Sequence, residues 1–475
     1  MNKFPVYRVI LFLAVMGLFG GGCATNYNKQ AGGMKERWLA GDLPGAAGAA
    51  SQAAKNVKNE TDRDAVVLRL EQGSTALAAG QFKESLAAFQ PAEEGINVFE
   101  DREKKRAGSE AVAVLTNPAM LPYEGYTYDK VMLNTYKAVN YLQMGELANA
   151  RVEFNRARER QDDALAINAK RIEKMQAAAE KEKVKKQDLD KVQNDSKFSS
   201  EYKNYYLDLD EMKAYANYVN PLTEYLSGLF FMSQATGGSD VQDARKSFER
   251  VLGMAGENKF ITADLKMTER MIAGQPITPT TYVIFETGCA PVREQITIDV
   301  PLFIFTPAVP YTGLAFPRLK FQQNYARELH VKYGDASETT ATLCSMDSVV
   351  AQEFKNDMPR VITRTVASAA IKAGASYGIS EGVKRIPYGG EFAAKLAWAL
   401  YLKSQNVADL RTWNTLPKEF EFCHFPTPAD RKVEISVPGS NQVVPITIAD
   451  GTVNVIWVRS TSSLAPLSVS QFKLK

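Results

Sequence analysis

The side chains of this chain best suited to chemistry are its four cysteines, two histidines and scattered carboxylates, and their spacing decides which reactions are open to it. His330 and His424 stand far apart, and neither belongs to an HExxH or similar metal-ligand pattern. Cys423 and His424 are adjacent, which invites a thiolate-and-base reading. They fall in the run KEFEFCHF, where successive strand residues point to opposite faces, so thiol and imidazole diverge and His424 shares a face with Phe420 and Phe422. Asp208-Leu209-Asp210 brings two carboxylates close in sequence. In a helix such alternate residues diverge, and capping or solvation accounts for them better than a metal. The chain contains no Walker loop, GxGxxG, GxSxG or CxxC. No catalytic residue, metal or cofactor is therefore expected. Lysine and arginine number 57 against 54 acidic residues, a formal net charge of +3, so no global field draws the chain to nucleic acid.

Cys23 has different surroundings. Residues 1–22 carry Lys3 and Arg8, then an apolar run from Val9 to Phe19, then Gly20, Gly21 and Gly22. This has the form of a signal peptide, and the run is shorter than the roughly 20 apolar residues that span a bilayer. A cysteine after small residues resembles the lipobox of bacterial lipoproteins, with Gly20 standing where leucine is usual. That resemblance implies acylation of Cys23, by palmitate among other chains. Ala24 is not the aspartate that favours inner-membrane retention, so it implies an outer-membrane anchor on the periplasmic face. An ordinary secretory signal cleaved nearby and an uncleaved anchor are the alternatives.

The elements behind these residues change character along the chain. At 475 residues it should divide into two or three domains. In the stretch from Tyr123 to Gln161, small or aromatic residues at Ala138 and Tyr141, a break at Gly145, then Ala150, Phe154 and Ala157 resemble the spacing of a tetratricopeptide (TPR) helical hairpin. The spacing predicts two helices. Gly145 ends the first, Tyr141 fills the groove between them, and Ala150 stays small so that the backbones approach while Phe154 packs one turn on. The pattern recurs with Gly41, with Gly73, Gly80 and Phe89, and more loosely with Gly228, Phe231, Ala244 and Phe248 around a turn at Gly238. The uneven spacing of these turns predicts a degenerate solenoid rather than a regular array. Residues 158–199 are charged and alanine-bearing, and predict a long helix or hairpin projecting from it. Tyr136, Tyr215, Tyr218 and Tyr225 suit either a partner-binding groove or the packing between helices.

Beyond Gly274, prolines punctuate β-type runs, a helical stretch follows with Asp347 as N-cap and Pro359 opening a second helix, Phe392 to Leu402 forms another apolar helix, and alternating runs return at the C-terminus. The expected fold is α+β: signal 1–22, TPR-like α-solenoid 23–274, β-rich segment 275–345, helical segment 346–407, and a module at 408–475 forming a small antiparallel sheet or sandwich.

YEGYTYDKVMLNTYKAVNYLQMGELANARVEFNRARERQ and ADLRTWNTLPKEFEFCHFPTP together resemble an uncharacterised family of bacterial outer-membrane lipoproteins with TPR-like repeats. The resemblance implies an envelope location and helical-repeat architecture, and carries no catalytic residues to transfer. Within the second stretch, Arg411 and Trp413 fit a brace between helix and sheet, near Asp409 and Leu410. With Cys23 acylated, Cys289, Cys344 and Cys423 remain, and a Cys289–Cys344 disulfide within the first β-rich block is one option, three free thiols another. These features favour a non-enzymatic periplasmic scaffold that docks envelope proteins through a TPR-like groove. A cell-wall glycan enzyme or receptor sited in the C-terminal half, or a structural subunit of an envelope assembly, are the alternatives.

Overall fold

Glycines and alanines placed where two helices cross set the helical half. In this computed structural model, residues 26–105, 117–210, 212, 215, 219–306, 309, 311–383, 407–440 and 442–475 are described. Helix α1 (Asn26–Leu39) turns at Gly41 into α2 (Leu43–Ala54), α3 (Ala65–Ala78) turns at Gly80 into α4 (Phe82–Lys105), and α5 (Thr127–Gln143) turns at Gly145 into α6 (Leu147–Lys181). The three glycines have φ near +75°, at +77°, +74° and +75°, where any other residue is strained. A Cβ on Gly73 would lie 2.4 Å from the Phe89 ring, so the absence of a side chain on α3 is what lets α4 seat its phenylalanine. Ala138, Ala150, Phe154 and Ala157 are likewise fully buried between α5 and α6, while Tyr141 is only partly buried beside them.

The fourth pair departs from the expected turn. Helix α9 (Pro221–Ser233) packs on α10 (Gly238–Ala255) with Gly228 against Phe248, and with Phe231 and Ala244 buried. Gly238 begins the second helix and is not a left-handed turn residue. Asp240 instead closes the loop by accepting from the Thr236 amide at 2.9 Å.

Two further expectations are corrected. The charged insertion at 158–199 is helical as expected, with α6 running on to Lys181, but it does not project. Helices α7 (Lys186–Asn194) and α8 (Ser196–Asp210) fold back, and α8 docks on the hairpin of β2 (Val292–Pro301) and β3 (Tyr311–Lys320), with Phe198 against Phe316 and Tyr206 Oη donating to the Pro317 carbonyl at 2.7 Å. Pro359 starts no new helix either. It lies inside α12 (Met346–Val383), whose buried stripe Met346, Val350, Phe354, Met358, Ile362 and Val366 repeats every fourth residue across the proline and holds the helix together. The apolar stretch from Phe392 to Leu402 lies outside the described residues.

The fold is α+β, but the C-terminal strands do not form a module of their own. Strands β1 (Thr280–Thr287), β6 (Ala341–Ser345), β7 (Glu419–Pro426), β10 (Val453–Ser460) and β11 (Ser468–Lys473) make one five-stranded sheet in the order β11-β10-β1-β7-β6. Within it β1 and β10 run parallel, and the other neighbours run antiparallel. Strands β4 (His330–Tyr333), β5 (Ala336–Thr339), β8 (Lys432–Ser436) and β9 (Val443–Thr447) make a four-stranded antiparallel sheet in the order β5-β4-β8-β9. Every residue of β1 and β10 is buried, as both faces of the central strands are covered. Helix α11 (Lys259–Ile272) and α9 pack on one face through Phe260 and Tyr225 against Phe422, and Tyr333 stacks on Phe425 of the other face.

The segment before β7 is bound into α3. Glu71 accepts from Tyr27 Oη (2.9 Å), the Asn414 amide (2.6 Å) and side chain (2.8 Å), and the Thr415 amide (3.2 Å) and hydroxyl (2.6 Å). Arg411 pairs with Asp64 at 3.1 Å and Asp409 at 2.6 Å, and Trp413 lies between Phe89 and Tyr136. The expected brace is there, joining helices to sheet. Glu71→Ala leaves these donors buried without an acceptor and should cost about 3 kcal/mol or more in urea unfolding. Gly73→Ala should cost about 1–3 kcal/mol by displacing Phe89. Gly48→Ala, at an exposed helix position with nothing within 4 Å, should be neutral or stabilising. Equal effects at Gly73 and Gly48 would rule out the close-crossing account.

Candidate functional site

The residues that sequence reasoning weighed for chemistry are held in structural roles. Cys289, Cys344 and Cys423 are free, buried thiols, so the Cys289–Cys344 disulfide is not formed. Cys289 faces the Thr461 carbonyl and Cys344 faces Asn220, in different parts of the core. Burial pushes the Cys289 thiol up to about 11 and Cys344 up to about 12, and raises Cys423 as well, which keeps all three protonated at neutral pH. His424 does diverge from Cys423. Its Nε2 lies 3.0 Å from the Phe260 carbonyl and 3.4 Å from Asp264, a buried carboxylate that also accepts from Tyr225 and Tyr282 at 2.7 Å each. Burial raises the Asp264 carboxyl, and His424 and the two tyrosines oppose the rise. His330 is exposed at a strand end, and Asp208 is solvated.

The tyrosines weighed for a groove are core. Tyr136 and Tyr225 are both 0% exposed, because the inner face of the helical layer is covered by the chain's own sheet rather than left open. Tyr215 is buried, and its hydroxyl accepts from the Ser345 amide at 3.0 Å. Tyr218 and Cys23 lie outside the described residues.

What the structure builds instead is a cavity of about 240 Å³ at the seam between helices and sheet. The start of α2, the α3–α4 turn and the end of α5 form one wall, and β1, β10 and β11 form the other. Leu43, Leu77 and Val469 line its apolar side. Ser468, Ser470 and Gln143 line its mouth, where Gln143 Nε2 donates to Ser470 Oγ at 2.7 Å. The floor is an ion pair. Glu286 and Arg459, opposite each other in the parallel β1–β10 register, are both buried and in contact. Arg459 also donates to the Thr415 carbonyl at 3.4 Å and to Tyr136 Oη at 3.2 Å.

Glu286 is less well served. Tyr136, Trp457 and Arg459 stand near enough to oppose the upward push of burial on its pKa, yet neither of its oxygens receives a well-aligned hydrogen bond. The sequence carried a signal for this pair. Glu286 is the lone charge in TTYVIFET and Arg459 the lone charge in VNVIWVRS, and a single opposite charge in each of two apolar strands marks a buried pair. Sequence reading missed it because nothing in the sequence says that these two strands are neighbours.

Among the described residues no cluster of histidine, cysteine and carboxylate is able to hold a metal, and no helix is long and apolar enough to cross a membrane. Compared with protein-family models, curated proteins and solved structures, the chain matches none.

The buried carboxyls make stability depend on pH. Burial pushes Glu421 from 4.5 up to about 8, and Asp129 from 3.8 up to about 7. Between the unfolded and folded values the native chain holds protons that the unfolded chain releases, so stability falls as pH rises through this window. Tm should therefore be higher at pH 5 than at pH 8, and Glu421→Gln should remove part of that difference. A Tm that rises over the same interval would contradict the assignment.

Proposed function

We propose that this chain is a non-enzymatic lipoprotein of the cell envelope, anchored through Cys23 to the outer membrane on its periplasmic side, and that it works as a binding scaffold. Its helical hairpins are TPR-like in spacing and in their small-residue crossings, and the resemblance to lipoproteins with such repeats supports the same reading. The hairpins serve as a frame for the sheet. Their inner face is occupied internally, so recognition moves from the inner groove to the seam, and the observation that carries this is the cavity floored by Glu286 and Arg459. A concave site with a few convergent polar groups among apolar walls is the usual form of a binding site. The reactive side chains weighed from sequence are committed elsewhere, the thiols protonated and His424 held between Phe260 and Asp264.

Two experiments test the proposal in cells. Cys23→Ser should abolish incorporation of labelled palmitate and release the chain from the outer-membrane fraction. Retention of both label and fractionation would reject the anchor. A photocrosslinking residue at Ser470, half-buried at the cavity mouth, should capture an envelope component, and Ser468→Phe in the same chain should abolish the capture by filling the mouth. Capture no more frequent than from Lys266, on the exposed side of α11, would reject the seam as the binding site.

A further inference from the structure

We infer that the seam cavity takes a neutral ring bearing hydroxyl and amide groups, of the class of a single hexose or an N-acylated amino sugar. The inference rests on the binding role proposed above and adds the chemistry of the ligand. Three observations lead to it. The first is charge. Glu286 and Arg459 neutralise each other at the floor, so an ion entering the site would lose its hydration without finding an uncommitted countercharge. A neutral ligand escapes that cost.

The second is the state of the carboxylate. Glu286 is wholly buried where it lines the cavity, and although Arg459, Tyr136 and Trp457 crowd it, none of them gives its oxygens a well-aligned hydrogen bond. A buried acceptor in that state is served by a ligand that donates, through O–H or amide N–H. Arg459, by contrast, already donates to Thr415 and Tyr136 and lies over the Trp38 ring at 5.1 Å, so it fixes the carboxylate rather than recruiting an anion. The site therefore calls for donors.

The third is size and lining. At about 240 Å³ the cavity is smaller than a site for a drug-sized ligand, and admits one small ring. The Trp457 indole and the side chains of Leu43 and Leu77 offer a surface for the C–H face of such a ring or for an acyl methyl group. Ser468, Ser470 and Gln143 each both donate and accept, which suits hydroxyls of either orientation. A saccharide unit combines an apolar face with a rim of donors, and no simple ion or aliphatic chain does.

The test uses the full-length chain in detergent and saturation-transfer NMR with N-acetylglucosamine, glucose, lysine and acetate. Saturable transfer to at least one of the two sugars, and none to lysine or acetate, is expected. Glu286→Gln should weaken sugar binding by about tenfold or more, the size of a lost hydrogen bond to a charged acceptor. Because that change disturbs a buried pair, Ser468→Phe is the second variant. It lies at the half-buried mouth, leaves the pair intact, and should abolish transfer while Tm stays near that of the parent chain. Co-sedimentation with purified peptidoglycan sacculi, lost in Ser468→Phe, would identify a glycan chain as the source of the ring. Binding of the free sugar without co-sedimentation would identify a soluble saccharide, and either supports the inference. No saturable transfer to either sugar, equal transfer to lysine or acetate, or sugar binding unaltered by Ser468→Phe would overturn it. Crosslinks from Ser470 that persist when no sugar binds would overturn the ligand class alone, and loss of both would overturn the binding role with it.

Discussion

The buried carboxylate of Glu71 is the constraint on which the arrangement of this molecule depends. It projects from α3 and accepts five hydrogen bonds, one from Tyr27 and two each from Asn414 and Thr415. Two of these come from backbone amides in a segment that belongs to neither helix nor sheet. Buried amides without partners cost about as much as a lost hydrogen bond each, so the segment has one favourable seat. That segment leads straight into β7, which pairs with β1 on one side and β6 on the other. Fixing Asn414 and Thr415 against α3 therefore sets where the five-stranded sheet meets the helices. Trp413 and Arg411 reinforce the same seat, one by packing against Phe89 and Tyr136, the other by pairing with Asp64.

A second consequence follows from covering the inner helical face with the chain's own strands. Faces that an open helical repeat leaves to a partner are here filled by residues far away in sequence, and polar groups of the helices are taken into the interior. Lys137 illustrates the cost. It is 1% exposed and forms ion pairs with Glu93 at 2.5 Å and Glu153 at 2.9 Å, while Asn134 donates to the same two carboxylates at 2.8 and 2.7 Å. Such a set is tolerated only because each member is satisfied, and it welds the hairpin of α3 and α4 to that of α5 and α6. The helices and sheet are in this sense one frame.

This explains what was legible beforehand. The helical hairpins with turns at Gly41, Gly80 and Gly145, the small residues at their crossings and the alternation of the strands are local matters, set by backbone sterics and burial periodicity within a few residues. The brace at Arg411 and Trp413 was legible too, as a strong cation and an indole at a boundary have few other uses. The sheet order was not, because β1 lies between β7 and β10 and so joins residues more than a hundred positions apart with no local signature. The docking of α8 was hidden by its composition. Its tyrosines suited a groove or the packing between helices and its charges a solvated face, and nothing local says that Tyr206 and Phe198 turn inward on β3. For Tyr136 and Tyr225 the sequence left groove and core both open, since an aromatic on a helical inner face looks the same in sequence whether a partner or the chain itself covers it.

The Glu286–Arg459 pair stands apart from the other buried charges in one respect. Lys418 and Asp347 pair at the sheet edge, and the Lys137 cluster is tied by several hydrogen bonds, so both have local structural explanations as connectors between elements. Glu286 and Arg459 are already held together by the pairing of the strands that carry them, and need no charge for that purpose. A buried ion pair often contributes no more than apolar residues of the same volume, so stability alone gives little reason for one at this position. What distinguishes the position is the cavity above it, and the imperfect hydrogen bonding of the carboxylate that lines it. A fold that satisfies Glu71 five times over is able to satisfy a carboxylate. That it leaves Glu286 short of well-aligned donors at a seam where space has been kept is the physical argument for a ligand there.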